Sequence, residues 1–167
     1  MNLAGIRDGA RVFVDTNILI YARRGASLQC RAFLNRCQEK AVRGFITPYV
    51  VAEFCHRRMM QEAQSGGLTA SNPARALSAK PELVRNLSVY SEDTRALLSG
   101  ELELAAIHPE DFTEALLLQA KHGLLTIDSI NLAVARRLGL AEVVTADSAF
   151  DNMQGVIVCR PDDLQTK

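Results

Sequence analysis

The sequence lacks the long apolar run that a membrane-spanning helix requires. No stretch approaches the roughly 20 consecutive apolar residues that cross a bilayer, and residues 1–10 contain no apolar segment typical of a signal peptide. We therefore expect a protein without a membrane span, located in the cytoplasm. With 167 residues, 48% of them hydrophobic and 23% charged, the chain is long enough for one globular domain with a sizeable core.

The sequence also lacks a cysteine- or histidine-based metal site. Its four cysteines, Cys30, Cys37, Cys55 and Cys159, include no CxxC pair, and the three histidines are scattered along the chain. A zinc finger needs cysteines, alone or together with histidines, at regular short spacing. We therefore expect the cysteines to be free thiols, most of them buried.

Net charge is absent as well, because 19 basic residues balance 19 acidic ones. The charges are nevertheless spread unevenly: residues 1–60 contain ten Lys and Arg but only four Asp and Glu. A basic first third is compatible with a polyanionic partner, since cationic side chains follow phosphate groups. Solvated helix surfaces also produce such runs, so the charge pattern by itself leaves both interpretations open.

Short apolar runs alternate with segments of helical periodicity along most of the chain. This alternation predicts a three-layer α/β/α sandwich with a mostly parallel central sheet. The whole chain, 1–167, is then one domain, in which residues 65–100 form a helical insertion or clip. The expected strands are 12–14, 44–46, 101–107, 141–145 and 156–159, and the expected helices include 18–21, 27–40, 48–64, 73–79, 82–98, 109–123 and 126–138.

Four carboxylates are candidates for a functional site because of where they lie in the predicted strands and helices. Asp15 and Asp147 each follow an apolar strand, and a parallel sheet brings such strand ends to one edge. Asp128 lies in the first turn of a predicted helix, and Glu53 lies among the apolar residues of another. Like charges that converge repel one another. A hard divalent cation such as Mg²⁺ or Mn²⁺ relieves the repulsion and can activate a water for attack on a phosphodiester.

Each of these acids also has a purely structural interpretation. Asp15, Asp128 and Asp147 stand where a carboxylate caps a helix or complements its dipole. Glu53 has the alternative of a solvated helix residue. Spacing alone does not choose between these interpretations and a metal site.

Four segments of the chain, in order, resemble the motifs of the PIN-domain family. Its VapC-type toxin ribonucleases are the members most similar to this sequence. The first segment holds Asp-Thr-Asn after a strand, the second a Glu within a helix, the third an acid at a helix start, and the fourth a Thr-x-Asp after a strand. They are residues 12–19, 47–54, 124–135 and 143–150.

The resemblance implies a Mg²⁺- or Mn²⁺-dependent endoribonuclease, the toxin of a toxin–antitoxin pair. It also implies an RNA substrate, a small antitoxin partner and a homodimer. The catalytic, metal-binding acids are then Asp15, Glu53, Asp128 and Asp147, supported by Thr16, Asn17 and Thr145, with Asp151 as an additional acid. Residues 65–100 depart from the family pattern, because this middle section is longer than in compact toxins, which leaves the partner-binding surface open.

Two other functions compete with this interpretation. A phosphatase of the haloacid-dehalogenase type also places an Asp at the end of its first strand, but it carries Asp-x-Asp where this chain has Asn17. A PIN-fold module that binds RNA or acts as a scaffold without turnover is the second alternative. For RNA binding, the arginines expected to contact the phosphate backbone are Arg23, Arg24, Arg57 and Arg58.

Overall fold

The computed structural model of the protein describes residues 1–68, 72–100, 102–151 and 153–164. Five strands of these ranges form one sheet in which every pairing is parallel. They are β1 (Arg11–Val14), β2 (Arg43–Ile46), β3 (Glu103–Leu104), β4 (Glu142–Val144) and β5 (Ile157–Cys159), and their order across the sheet is β3-β2-β1-β4-β5.

Eight α-helices of the described ranges connect and cover the strands. They are α1 (Thr16–Arg23), α2 (Leu28–Gln38), α3 (Pro48–Ser65), α4 (Pro73–Ala79), α5 (Pro81–Arg85), α6 (Val89–Leu98), α7 (Pro109–His122) and α8 (Thr126–Arg137). The predicted α/β/α sandwich is thereby confirmed. None of the helices in these ranges combines the length and the hydropathy that crossing a bilayer demands.

The central strand β1 carries the core of the molecule. Val12, Phe13 and Val14 are each at most 1% exposed, because β1 lies between two other strands and beneath helices. A strand buried on both faces is apolar at every position, and the run in the sequence has this property. Beside it, Gly44 leaves room for close packing: a Cβ there would collide with the side chain of Leu102.

Local signals set several helix boundaries as predicted. Thr47 caps α3 by accepting a hydrogen bond from the N–H of Val50 at 3.3 Å, and Pro48 stands in the first turn, where its missing N–H costs nothing. Further along the chain, α7 ends at Gly123, whose φ of 70° is in the left-handed region that glycine favours.

The single helix predicted over residues 82–98 is wrong, because the structure has two helices there, α5 and α6. The cause lies on α3, where the carboxylate of Glu62 accepts hydrogen bonds of 2.8–3.1 Å from the backbone N–H groups of residues 88–90. These N–H groups begin α6 and have no partner within a helix that starts there. The glutamate therefore stabilises a new helix start, which sequence periodicity does not reveal.

The strand predicted over residues 101–107 is shorter in the structure, where β3 contains two residues. Residue 101 lies outside the described residues. Leu102 is buried as expected, but Leu104, predicted to share its face, is 53% exposed. The difference arises because β3 is at the edge of the sheet and has one neighbouring strand instead of two.

Two polar contacts join α6 to α3. Besides the cap from Glu62, Arg58 on α3 forms an ion pair of 2.6 Å with Asp93 on α6, and both side chains are largely buried. The helices α4 to α6 lie in the stretch predicted to be an insertion, 65–100. The assignment of this stretch as an insertion within one domain, 1–167, stays a prediction.

Replacing Glu62 by Gln should destabilise the protein by about 1–2 kcal/mol, because the new side chain caps α6 without a charge. Partial burial raises the pKa of Glu62, but the hydrogen bonds from residues 88–90 and the charge of Arg58 outweigh it and hold the pKa below its usual value. The stabilisation is therefore present above the unfolded pKa of about 4.3 and is lost as the pH falls through the folded pKa.

Urea unfolding of the wild type and Glu62→Gln, at pH 7 and at pH 3, measures this effect. The control is Glu92→Gln, which removes the same charge from the exposed side of the first turn of α6 and should change stability by less than about 0.5 kcal/mol. Equal losses for the two variants, or a Glu62→Gln loss that persists at pH 3, would contradict the capping role.

Candidate active site

Asp15 and Asp147 come together because the two strands that precede them are neighbours. In the register of β1 and β4, Val14 pairs with Val144, so both strands end at the same edge of the sheet. The backbone N–H of Asp15 continues the ladder by donating to the carbonyl oxygen of Val144 at 3.0 Å. The predicted convergence of these two strand ends is therefore present in the structure.

The carboxylate of Asp15 accepts three hydrogen bonds from its surroundings. Its Oδ1 accepts from the backbone N–H of Thr16 at 2.7 Å. Its Oδ2 accepts from Asn17 Nδ2 at 2.6 Å and from Thr145 Oγ1 at 2.6 Å. Asp15 is also the N-cap of α1, so its capping role and its position at the sheet edge hold together.

Thr145 and Asn17 link Asp15 to the loop that carries Asp147. Thr145 Oγ1 accepts from the N–H of Asp147 at 3.0 Å, and Asn17 Oδ1 accepts from the N–H of Ala146 at 3.1 Å. The side chain of Asp147 is exposed and accepts from the N–H of Ala149 at 2.8 Å, which starts a short 3₁₀ turn. The polar residues predicted to support the acids thus hold both backbone and side chains in place.

Glu53 reaches the same region from α3. Its Oε2 accepts a hydrogen bond of 2.9 Å from the hydroxyl of Thr16, the residue next to Asp15. Its Oε1 lies 3.3 Å from Nη1 of Arg57, one turn further along the helix. The side chain of Glu53 is 37% exposed and faces the sheet edge, so it is not simply a solvated helix residue.

Asp128 approaches the other three acids from the first turn of α8. The N-cap of this helix is Leu125, and Asp128 accepts no hydrogen bond from the described residues, so the capping interpretation does not apply to it. Burial raises the pKa of Asp128 to about 6, and the negative charges of Asp15, Asp147 and Glu53 contribute to the rise. All four predicted acids therefore lie within electrostatic reach of one another.

The pKa of Asp15 is raised too, chiefly by burial. The hydrogen bonds from Thr145 and Thr16 oppose this rise, and the charges of Glu53 and Asp147 add to it. Across the described ranges, no three His, Cys, Asp or Glu side chains are already grouped around a common point as a finished metal site would be. The acids therefore repel one another at the sheet edge without converging on a single centre.

The chemistry of these groups fits a hard divalent cation. Carboxylate oxygens are the ligands that Mg²⁺ and Mn²⁺ prefer, and a cation would offset the burial and the repulsion that raise the pKa of Asp15 and Asp128. Lone pairs remain for such an ion, since Oδ1 of Asp15 accepts only one hydrogen bond from the described residues and Asp128 accepts none. The role of the four acids as ligands stays a prediction.

Sequence reasoning missed a basic residue at this edge, Arg160. Its Nη2 donates to the backbone carbonyl of Asp147 at 2.6 Å, and its Nη1 forms an ion pair of 2.6 Å with Asp151. Arg160 follows β5, and nothing in the local sequence distinguishes it from other arginines. Asp151, expected to be an additional acid of the site, is thus paired with the guanidinium of Arg160. Its predicted role stays a prediction.

Of the arginines expected to contact RNA, Arg58 is instead bound by other side chains of the protein. Its guanidinium is engaged by Asp93 and by Gln61, and its side chain is only 15% exposed. Arg57 lies beside Glu53, while Arg24 is exposed after the end of α1. Arg58 therefore braces two helices, which explains its position on α3 without any contact to a ligand.

Replacing Asp128 by Asn should stabilise the metal-free protein at pH 7 by about 1–2 kcal/mol. A raised pKa means that the folded state binds the proton more tightly than the unfolded state, whose pKa is about 3.9. Stability therefore falls as the pH rises from 3.9 to the folded pKa of about 6 and stays lower above it. The neutral amide of the Asp128→Asn variant avoids this loss of stability.

Thermal unfolding in EDTA at pH 7 and at pH 4 measures the gain, which should be much smaller at pH 4. The control Asp8→Asn removes the same charge from a side chain that is 79% exposed and should change stability by less than about 0.5 kcal/mol. A gain that is absent at pH 7, or as large at pH 4, would contradict the electrostatic account.

The fold has counterparts among known proteins. A chain of a toxin–antitoxin complex from Klebsiella pneumoniae is 20% identical, with 87% of this chain and 95% of that chain covered and a TM-score of 0.56. For a chain of VapBC2 from Rickettsia felis bound to a DNA fragment of its promoter, the identity is 16%, the coverage 91% and 99%, and the TM-score 0.56.

VapC20 of Mycobacterium tuberculosis, described as a toxin that cleaves the sarcin–ricin loop, is 15% identical over 82% of this chain and 90% of its own, with a TM-score of 0.53. At these identities the likeness concerns the fold alone. No curated protein matches the sequence closely enough for comparison. The family model of the PIN domain matches residues 12–156, which is most of the chain and includes all four acids. The protein therefore belongs to the PIN-domain family.

Proposed function

We propose that this PIN-domain protein is a metal-dependent endoribonuclease of the cytoplasm and the toxin of a toxin–antitoxin pair. The observation that carries the proposal is the mutual repulsion of Asp15, Glu53, Asp128 and Asp147 at the carboxyl edge of the sheet. Burial and the neighbouring charges raise the pKa of Asp15 and of Asp128, so their ionised forms are costly unless a cation is bound. The cost of holding these like charges together therefore favours a metal-dependent function over a structural one.

The comparisons support the toxin–antitoxin part of the proposal. The structures from Klebsiella pneumoniae and Rickettsia felis are toxin–antitoxin assemblies, and the Mycobacterium tuberculosis protein is described as an RNA-cleaving toxin. The first two favour an antitoxin as a partner of this protein, and the third favours RNA as its substrate. The same comparisons give less support to a phosphatase that acts on small phosphoesters.

In the proposed mechanism, Asp15, Glu53, Asp128 and Asp147 would hold Mg²⁺ or Mn²⁺. When bound, the ion supplies activation of a water and stabilisation of the charge that develops at phosphorus. Thr16, Asn17 and Thr145 keep the carboxylates oriented through the hydrogen bonds described above. No side-chain nucleophile is required, which agrees with the absence of a Ser–His or Cys–His pair from the motifs.

The surface of α7 and the loop that follows it favours association with a partner. Leu116, Leu117 and Leu125 are each more than 60% exposed, and Phe112 is 43% exposed. Apolar side chains grouped in this way are typical of protein interfaces. We include a homodimer in the proposal on this basis, and sedimentation of the purified protein over a range of concentrations distinguishes it from a monomer.

Purified wild-type protein should cleave total RNA in Mg²⁺ or Mn²⁺ and lose this activity in EDTA. Asp15→Asn should reduce the cleavage rate by about 100-fold or more, because even residues that only support metal ligands contribute about 10–100-fold. The matched control is Asp8→Asn, which changes the same charge on the surface away from the sheet edge. Circular dichroism and unfolding curves establish that each variant is folded. Cleavage that survives EDTA, or a fully active Asp15→Asn protein, would refute the proposal.

Metal binding itself should be detectable without any substrate. Mn²⁺ at 100 times its dissociation constant should stabilise the wild type by about 2.7 kcal/mol, since the ion binds the folded state only. Asp15→Asn and Asp147→Asn should show a much smaller rise in melting temperature, and Asp8→Asn the same rise as the wild type. An identical rise in all four proteins would indicate that the ion binds elsewhere.

A further inference from the structure

A polar face of α1 leads away from the four acids. Asn17, Tyr21 and Arg24 are spaced i, i+4 and i+7 and therefore lie along one side of the helix and its C-cap. Asn17 touches Asp15 at the start of this line, and Arg24 lies nine residues beyond Asp15, about 14 Å along the helix axis. The line thus connects the acids with a more distant surface.

A second line runs beside it on α3. Glu53 and Arg57 are spaced i, i+4, and the hydrogen bond from Thr16 to Glu53 joins α3 to the start of α1. These two lines together are called the groove, which consists of Asn17, Tyr21 and Arg24 on α1 and of Glu53 and Arg57 on α3. At its outer end lies a cavity of about 750 Å³, lined by Tyr21, Arg24 and Arg57 among others.

The C-terminal segment forms the outer wall of this cavity through Asp163 and Leu164. Asp163 is held in place at the start of α2, where its carboxylate accepts from Ser27 Oγ at 2.6 Å and from the N–H of Gln29 at 3.1 Å. Its negative charge is therefore directed at the positive end of a helix dipole. Among the described residues it forms no ion pair with Arg24 or Arg57.

The polar groups of Tyr21, Arg24 and Arg57 form few hydrogen bonds or ion pairs with the other described residues. Within the described ranges, neither the hydroxyl of Tyr21 nor the guanidinium of Arg24 makes a side-chain hydrogen bond or ion pair. Arg57 lies 3.3 Å from Glu53, which is longer than the 2.7–2.9 Å of a strong charge-assisted hydrogen bond. Two cationic groups and one aromatic ring thus line the cavity together with Asp163, and Arg57 connects the cavity to Glu53.

We propose that this groove binds the single-stranded RNA next to the bond that is cleaved. A base stacks on the ring of Tyr21, Arg24 binds a backbone phosphate at the outer end, and Arg57 binds the phosphate nearer the acids. Single-stranded nucleic acids are held by this combination of aromatic rings and cationic groups along a groove. The inference rests on the proposed function, because it assigns part of the substrate to a surface beside the same site.

Binding without cleavage tests the groove. Fluorescence anisotropy of a labelled single-stranded RNA is measured in EDTA with Asp15→Asn as the parent protein. Tyr21→Leu should weaken binding about tenfold through loss of stacking, while Tyr21→Phe should bind as the parent does. Arg24→Gln should reduce the slope of log affinity against log salt by about 0.7, the value for one phosphate contact on a single strand.

The control is Arg75→Gln, which removes an exposed arginine from α4, far along the chain from the groove. Its affinity and salt slope should match those of the parent. Unfolding curves accompany every variant, and if Tyr21→Leu does not fold, the salt slope of the exposed Arg24→Gln variant decides the question.

Affinities and salt slopes of Tyr21→Leu and Arg24→Gln that equal those of Arg75→Gln would overturn the groove assignment. This outcome includes the case in which the cavity receives a segment of a protein partner instead of RNA. Because the assay involves no cleavage, the two proposals fail separately. Wild-type cleavage with unchanged affinities would refute the groove alone, and weakened affinities without wild-type cleavage would refute the nuclease alone.

Discussion

Repulsion between carboxylates at one edge of a parallel sheet is the constraint around which this molecule is arranged. The pairing of Val14 with Val144 brings Asp15 and Asp147 to the same edge, and α3 and α8 add Glu53 and Asp128. Burial and mutual charge raise the pKa of Asp15 and of Asp128. The fold has to supply enough stability elsewhere to keep these groups together, and the buried β1 strand at the centre of the sheet is a main source of it.

Hydrogen bonds hold three of the four acids, Asp15, Glu53 and Asp147, at their positions. Thr16 donates its backbone N–H to Asp15 and its hydroxyl to Glu53, and the hydroxyl of Thr145 joins Asp15 to the backbone of Asp147, so two threonines connect three of the four acids. Arg160 fixes the outer side of the Asp147 loop through a backbone carbonyl. A site held in this way keeps its geometry while its charge remains unbalanced, which is the state in which a divalent cation binds most favourably.

One helix serves both the acids and the surface beside them. The N-terminal turn of α1 orients Asp15 and contacts Glu53, and the C-terminal part of the same helix presents Tyr21 and Arg24 to the cavity. Because a helix is rigid over this length, the spacing between the acids and the outer cationic groups is set by α1 and does not depend on a loop. The ion pair of Arg58 with Asp93, by contrast, joins α6 to a different part of α3.

The sequence by itself determined the strands of the core, most helix boundaries and the positions of the four acids at strand ends and on helices, because these depend on local apolar patterns, capping residues and short motifs. Residues 12–14 and the pair Thr47 and Pro48 are examples. Only the tertiary structure decided the break before α6, the burial of Arg58, and the placement of Arg160 and Tyr21. Each of these depends on a contact between residues far apart in the chain, such as Glu62 with the start of α6 or Arg160 with Asp147. Such contacts are set by the parallel pairing of strands and the packing of helices, which leave no periodicity in the sequence itself.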